Sequence, residues 1–266
     1  MALVGSKTVK REKSNYIIQS VAHAIDVLEQ FNGETDELGV TELSKRLKLH
    51  KNNVFRLLAT LEARGYIEQN KATENYRLGL RCLHLGQTFL DQLGLLRQAR
   101  PVMDTLSRKC RETVVLGLLR KTEVVLLHAV EADQPVRVVT LLGSPLPLHC
   151  TAVGKAHLAF DLADRAEGGL PDSLPRHTER TITKRTELVA ELKRTVERGY
   201  ALEAGEYLAD LAAIAVPIRD YTRAVVGSLA IVAPEYRLTP ERIDKEIAQA
   251  TIRAGRELST RLGCTE

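Results

Sequence analysis

The sequence predicts an α+β fold in two parts, on three observations. Residues 16–110 show helical periodicity broken once by a short hairpin. From 113 to 232, β-branched runs alternate with polar breaks. A helical pattern that starts at Pro240 closes the chain. With 266 residues, two domains are expected. The core must be aliphatic, because there is no Trp and aromatics are 4% of the chain. No run of about 18 apolar residues predicts a membrane span. The first 13 residues lack the apolar stretch of a signal peptide.

Residues 1–15 are polar and basic and read as a flexible arm. A helix follows from Ser20, with Val21, Ala24, Ile25, Leu28 and Phe31 on one face and Gly33 as its stop. Thr41 is the expected N-cap of a short helix over 42–47. Lys48 falls in the turn where positive φ is common, at a cost of about 1 kcal/mol for a non-glycine residue. A longer helix runs over 51–64, held by Val54, Leu57, Leu58 and Leu61, with Gly65 at its C-terminal cap. Strands at 66–69 and 75–78 complete a winged helix-turn-helix.

Charge agrees with that motif. Residues 39–81 carry a net +5, against +4 for the whole chain, so the basic excess sits in this module. The leading turn of the longer helix, Lys51-Asn52-Asn53-Val54-Phe55-Arg56, is polar over a leucine stripe. A major groove admits such a helix, where Asn pairs with adenine and Arg or Lys with guanine. The predicted DNA contacts are Thr41, Lys45, Lys51, Asn52, Asn53, Arg56, Lys71 and Arg77. Lys45, Arg46, Lys48, Lys71 and Arg77 are phosphate candidates, and Lys51 and Arg56 suit a phosphate as well as a base edge.

Residues 80–96, apolar on more than one side, read as a linker helix, and 96–110 as another helix with Pro101 near its start. Strands are expected at 113–119, 124–130, 136–141, 200–203, 211–219 and 224–232. Helices are expected at 151–160, at 185–198 with Leu188, Leu192 and Val196 on the buried face, and from Thr239, as N-cap, to about 262. The start of the 151–160 helix offers free N–H groups at Ala152, Val153 and Gly154, which suit a carboxylate. Lys155, about a turn away, reads as a surface charge.

Catalytic signatures are missing. The histidines at 128, 149, 157 and 177 belong to no HExxH motif, and there is no GxSxG or phosphate-binding loop. His149 beside Cys150 reads as a buried structural pair, since sequence neighbours rarely form a catalytic one. Cys82, Cys110, Cys150 and Cys264 show no metal or redox spacing and read as free thiols of a cytoplasmic protein. No metal and no cofactor are expected.

The segments at 40–44, 53–62, 65–68, 76–79, 148–156, 198–201, 214–217 and 225–227 together resemble the IclR family of bacterial transcriptional regulators. That resemblance implies a C-terminal GAF-like domain that binds a small organic acid and controls binding to a partly palindromic operator. It also implies dimers or dimers of dimers. It places effector contacts at Val138, Leu146, Ala152, Val153, Gly154, Glu203, Ala213, Ala230 and Val232. The family pattern has a thiol at the position of Ala213 and hydroxyls at those of Ala230 and Val232. Their loss points to a bulkier, more apolar or aromatic acid, because each unpaired polar group on a small acid costs roughly 1–3 kcal/mol. The expected division is arm 1–15, winged helix-turn-helix 16–80, linker helix 81–96 and effector domain 97–266. An architectural DNA binder without effector, and an enzyme with an appended DNA-binding module, are the alternatives.

Overall fold

The computed structural model describes residues 17–31, 37–92, 94–160 and 170–265. The expected arm at 1–15 and the stop at Gly33 lie outside them. Two compact units divide the chain, Met1–Phe89 and Leu90–Glu266.

In the first unit, α1 (Gln19–Glu29), α2 (Val40–Leu47) and α3 (Lys51–Ala63) pack around Val27, Leu38, Leu43, Val54, Leu58 and Ile67. The hairpin β1 (Ile67–Gln69) and β2 (Tyr76–Leu78) follows, with Ile67 opposite Leu78. Leu38 adds a bridge by exchanging both backbone hydrogen bonds with Tyr76 at 2.9 Å. Lys48 is left-handed at φ 54, as the turn requires. Two expectations fail here. α2 starts at Val40 with Gly39 as N-cap, so Thr41 lies inside the helix and caps nothing. On α1, Val21 and Ile25 are half exposed and Val27 is the buried anchor.

The two helices expected over 80–96 and 96–110 are present as α4 (Leu80–Gln92) and α5 (Gly94–Cys110), the first ending four residues sooner than expected. Pro101 therefore falls inside α5 and not at its start. Its missing N–H costs one helical bond, which burial of Ala99, Val102, Met103 and Leu106 offsets. On α4, Leu80, Leu83, Leu85 and Phe89 are exposed.

The second unit is built on a six-stranded antiparallel sheet of β3 (Thr113–Arg120), β4 (Glu123–Val130), β5 (Pro145–Pro147), β6 (Ala201–Ala204), β7 (Leu211–Arg219) and β8 (Val225–Pro234). Their order is β5-β4-β3-β8-β7-β6. Strand side chains alternate between faces. Ile214, Val216, Ile218, Leu229 and Ile231 pack on one face with α5 and the last helix, α8 (Ala248–Arg261). A turn at Pro240–Arg242 and a π-helical turn at Ile243–Ile247 lead into α8, and the Thr239 hydroxyl caps the first by accepting the Arg242 N–H.

The opposite face is small: Ala201, Ala213, Ala215 and Ala230. Small side chains let α6 (Ala152–Phe160) lie close, and α7 (Arg185–Arg198) covers it. Gly154 lets the helix pack against the segment that leads into it: a Cβ there would stand 2.5 Å from the Leu148 Cα and carbonyl oxygen. On α7 the buried residues are Leu188, Leu192 and Thr195, while Val196 is exposed, against expectation. Residues 136–141 form no strand. They cross as irregular backbone tied down by the Arg237 guanidinium, which donates to the Val136 carbonyl at 2.7 Å and to the buried Glu112 carboxylate.

Candidate functional site

The residues expected to meet DNA are exposed on α2, on α3 and on the hairpin of the first unit. Lys51, Asn52, Asn53 and Arg56 all lie exposed on the first two turns of α3, while Val54, Leu58 and Leu61 point into the core. Thr41 and Lys45 are exposed on the preceding α2. The turn between the helices is held by Ser44, whose hydroxyl donates to the Leu49 carbonyl at 2.6 Å. Lys71 and Arg77 sit exposed on the wing, and Arg77 pairs with Glu68 at 3.3 Å. The wing turn is anchored by Glu37, which accepts from Asn70 and Thr73 at 2.7 Å each; those bonds lower its pKa. Phe55, 54% exposed beside Arg56, shares this surface and was not among the residues the sequence singled out. Its signal was an aromatic placed off the leucine stripe, and such a ring suits a thymine methyl.

The second site is a cavity of about 230 Å³ between the start of α6, the end of β6 and the 138–146 segment. Val138, Leu146, Ala152, Val153, Glu203 and Val232 line it, as expected. Glu203, Ala213 and Val232 share one row of cross-strand pairs, so they face the same way. Ala213 and Ala230, however, are buried under α6 and Gly154 is packed on Leu148, and none of the three lines the cavity. Thr140, Ser144, Thr151, Tyr207 and Leu208 line it without having been foreseen. Nothing in their local sequence marked them, because loop crossings bring them there. A larger cavity of about 690 Å³ lies between the end of α7, β7 and α8, rimmed by Arg198, Arg219, Arg223 and Arg256. It contains none of the expected residues. The smaller one better suits a ligand, since a buried carboxyl group and a helix start converge on it.

The helix start itself differs from expectation. The Ala152 N–H donates to Glu203 Oε2 at 3.2 Å, and the Gly154 N–H to the Thr151 hydroxyl at 3.1 Å. Of the three donors, Val153 alone is left without a protein partner among the described residues. Glu203 is 2% exposed and also accepts the Tyr207 N–H at 3.2 Å. Burial pushes its carboxyl pKa up to about 7, outweighing those two hydrogen bonds and the Lys155 charge. Lys155 is no surface charge. It is fully buried, and its ammonium group donates to Glu206 Oε1 at 2.6 Å.

A winged helix-turn-helix joined to a helix-covered antiparallel sheet with a small buried cavity defines a ligand-responsive type of transcription regulator. Two family profiles match the chain: the IclR helix-turn-helix domain over residues 20–71, and the bacterial transcriptional regulator IclR C-terminal domain over residues 87–260. The chain belongs to the IclR family. It is 34% identical to the HTH-type transcriptional regulator KdgR of Escherichia coli, across 92% of this chain and 93% of that one. The crystal structure of Thermotoga maritima IclR superposes with a TM-score of 0.78 at 25% identity, covering 93% of this chain and 100% of the other. An IclR homologue of Microbacterium hydrocarbonoxydans, solved with 4-hydroxybenzoate, gives 0.78 at 25% identity over 92% and 99%. The chain is therefore a DNA-binding transcription regulator and not an enzyme.

Proposed function

We propose that this regulator reads its operator through α3 and releases or engages it when an apolar or aromatic carboxylic acid fills the cavity beside Glu203. The observation that carries the first half is the exposed Lys51-Asn52-Asn53 turn, with Arg56 behind it, held rigid by Val54, Leu58 and Leu61. Asn52, Asn53 and Arg56 read base edges, while Lys45, Lys71 and Arg77 hold phosphates and set the register. Thr41 approaches the backbone from α2.

The second half rests on the cavity wall. Val115, Leu126, Val138, Leu146 and Val232 are apolar, and the Val153 N–H is the donor available to a carboxylate. The 4-hydroxybenzoate bound by the Microbacterium homologue is an acid of this chemistry. The proposed division of labour is a basic arm at 1–15, a DNA-binding domain at 16–80, a linker helix at 81–96 and an effector domain at 97–266. Self-association as a dimer or dimer of dimers on a partly palindromic site is supported by the exposed Leu80, Leu83, Leu85 and Phe89 of α4. The protein works in the cytoplasm, where its DNA is; no helix among the described residues is long and apolar enough to cross a membrane.

Footprinting with Asn53→Ala and Arg56→Ala tests the reading head. Each variant is expected to lose specific binding by about tenfold or more, the worth of one good base contact, with effector binding intact. An unchanged footprint for both removes α3 from the groove. Calorimetry with 4-hydroxybenzoate and a benzoate series against glyoxylate and pyruvate tests the cavity. Tighter binding of the small oxo-acids overturns the effector class.

A further inference from the structure

We propose that His149, Cys150 and His177 form a binding site for a borderline-soft divalent cation, with zinc the best match. His149 and Cys150 precede α6, whereas His177 lies on the loop between α6 and α7, so sequence spacing could not join them. In the fold each offers a ligand atom, and the three atoms lie within 4.8 Å of one another. The His149 and His177 rings are 5.8 Å apart, centre to centre. Two nitrogens and one sulfur suit zinc or its soft neighbours and are poor ligands for magnesium or calcium.

The surroundings hold these groups as a metal site would. His149 Nε2 lies 2.9 Å from the Pro175 carbonyl. Donation of that N–H fixes the tautomer with its lone pair on Nδ1, the arrangement in which protein imidazoles bind metals. The His177 backbone is set by a built turn. Its N–H donates to the Thr181 hydroxyl at 3.0 Å, and that hydroxyl donates to the Glu206 carbonyl at 2.7 Å. His149 and Cys150 are buried, while His177 is exposed and gives the ion its entrance. Metal–ligand bonds of 2.0–2.3 Å place tetrahedral ligand atoms roughly 3.4–3.6 Å apart. Rotation of the exposed His177 side chain supplies the remaining approach. Water completes the fourth position on the open side.

Binding has a definite proton balance. The zinc–sulfur bond forms as the Cys150 S–H bond breaks, and that proton passes to the buffer. The charge of the metal does not change, and nothing is oxidised. The ion pins the loop that carries His177 to the start of α6.

The test uses the full chain, stripped with a chelator, and Zn²⁺ alone. Calorimetry in two buffers of different ionisation enthalpy is expected to give one zinc per chain and about one proton released. Mg²⁺ in excess leaves that binding untouched. Co²⁺ in place of zinc gives a thiolate charge-transfer band that is absent in Cys150→Ser. His177→Gln, a surface change that spares the fold, weakens zinc at least tenfold and abolishes the rise in Tm that zinc gives the parent. Failure to retain zinc at micromolar protein, competition by Mg²⁺, or unchanged zinc binding in both variants overturns the site.

Discussion

His157 shows what one misplaced residue type does. It is fully buried in α6, and neither ring nitrogen has a partner among the described residues. Burial lowers its pKa to about 4 from the ordinary 6.5. The unfolded chain therefore takes up a proton below 6.5 that the folded chain refuses until about 4. Stability falls as pH drops through that window, by on the order of 3 kcal/mol in all. His157→Leu, similar in bulk and without the orphaned polar atoms, is expected to flatten the loss. Urea titrations at pH 7 and pH 5 check it, and an unchanged difference between the two pH values contradicts it. Glu203 works in the opposite direction. With its carboxyl near 7, ionisation above that pH sets a negative charge against an anionic effector. Affinity for 4-hydroxybenzoate should therefore drop between pH 6 and pH 8, and calorimetry reads it; a flat profile would place the acid away from Glu203. The sequence marked Glu203 only through family resemblance, and it misjudged Lys155, because burial of a lysine depends on Glu206 arriving from a different strand end.

At the scale of elements, α6 is the hinge between core and site. It presses on an alanine face, and Gly154 lets the Leu148 backbone pass close to its first turn. Gly154→Ala drives a methyl group into the Leu148 backbone, which cannot rotate aside. The expected loss is about 1–3 kcal/mol, together with weaker effector binding as Ala152 and Val153 shift away from Glu203. A thermal melt and a titration of the same variant check both; an unaltered melt refutes the packing role. α7 and β7 begin and end where the sequence expects, since amphipathic repeat and β-branched run are local signals. Residues 136–141 look equally strand-like, yet the Arg237 anchor and the cavity hold them as irregular backbone. Thr41 fails as a cap for a similar reason: Gly39 already takes the extended N-cap geometry, and the helix starts at Val40, two residues sooner.

For the whole molecule, each unit has its own core: one around Leu43, Val54 and Leu58, the others on the two faces of the sheet. Residues 94–266 alone are expected to melt cooperatively and to bind the same acid as the full chain within a few-fold, without binding DNA. A fragment that melts cooperatively but binds no acid bound by the full chain would mean that the cavity needs the first unit.

What the residues determined by themselves was whatever depends on near neighbours along the chain: the periodicity of α3 with its polar leading turn, the glycine past its end, the basic excess of one module, and the family motifs in order. Tertiary structure alone decided which groups meet across the chain. It gave the α6 donors to Glu203 and Thr151, buried Lys155 against Glu206, and placed His177 beside His149 and Cys150. The reason is physical: helix and strand patterns are written in short-range spacing, whereas burial and hydrogen-bond partners depend on which distant segments close over the same side chain.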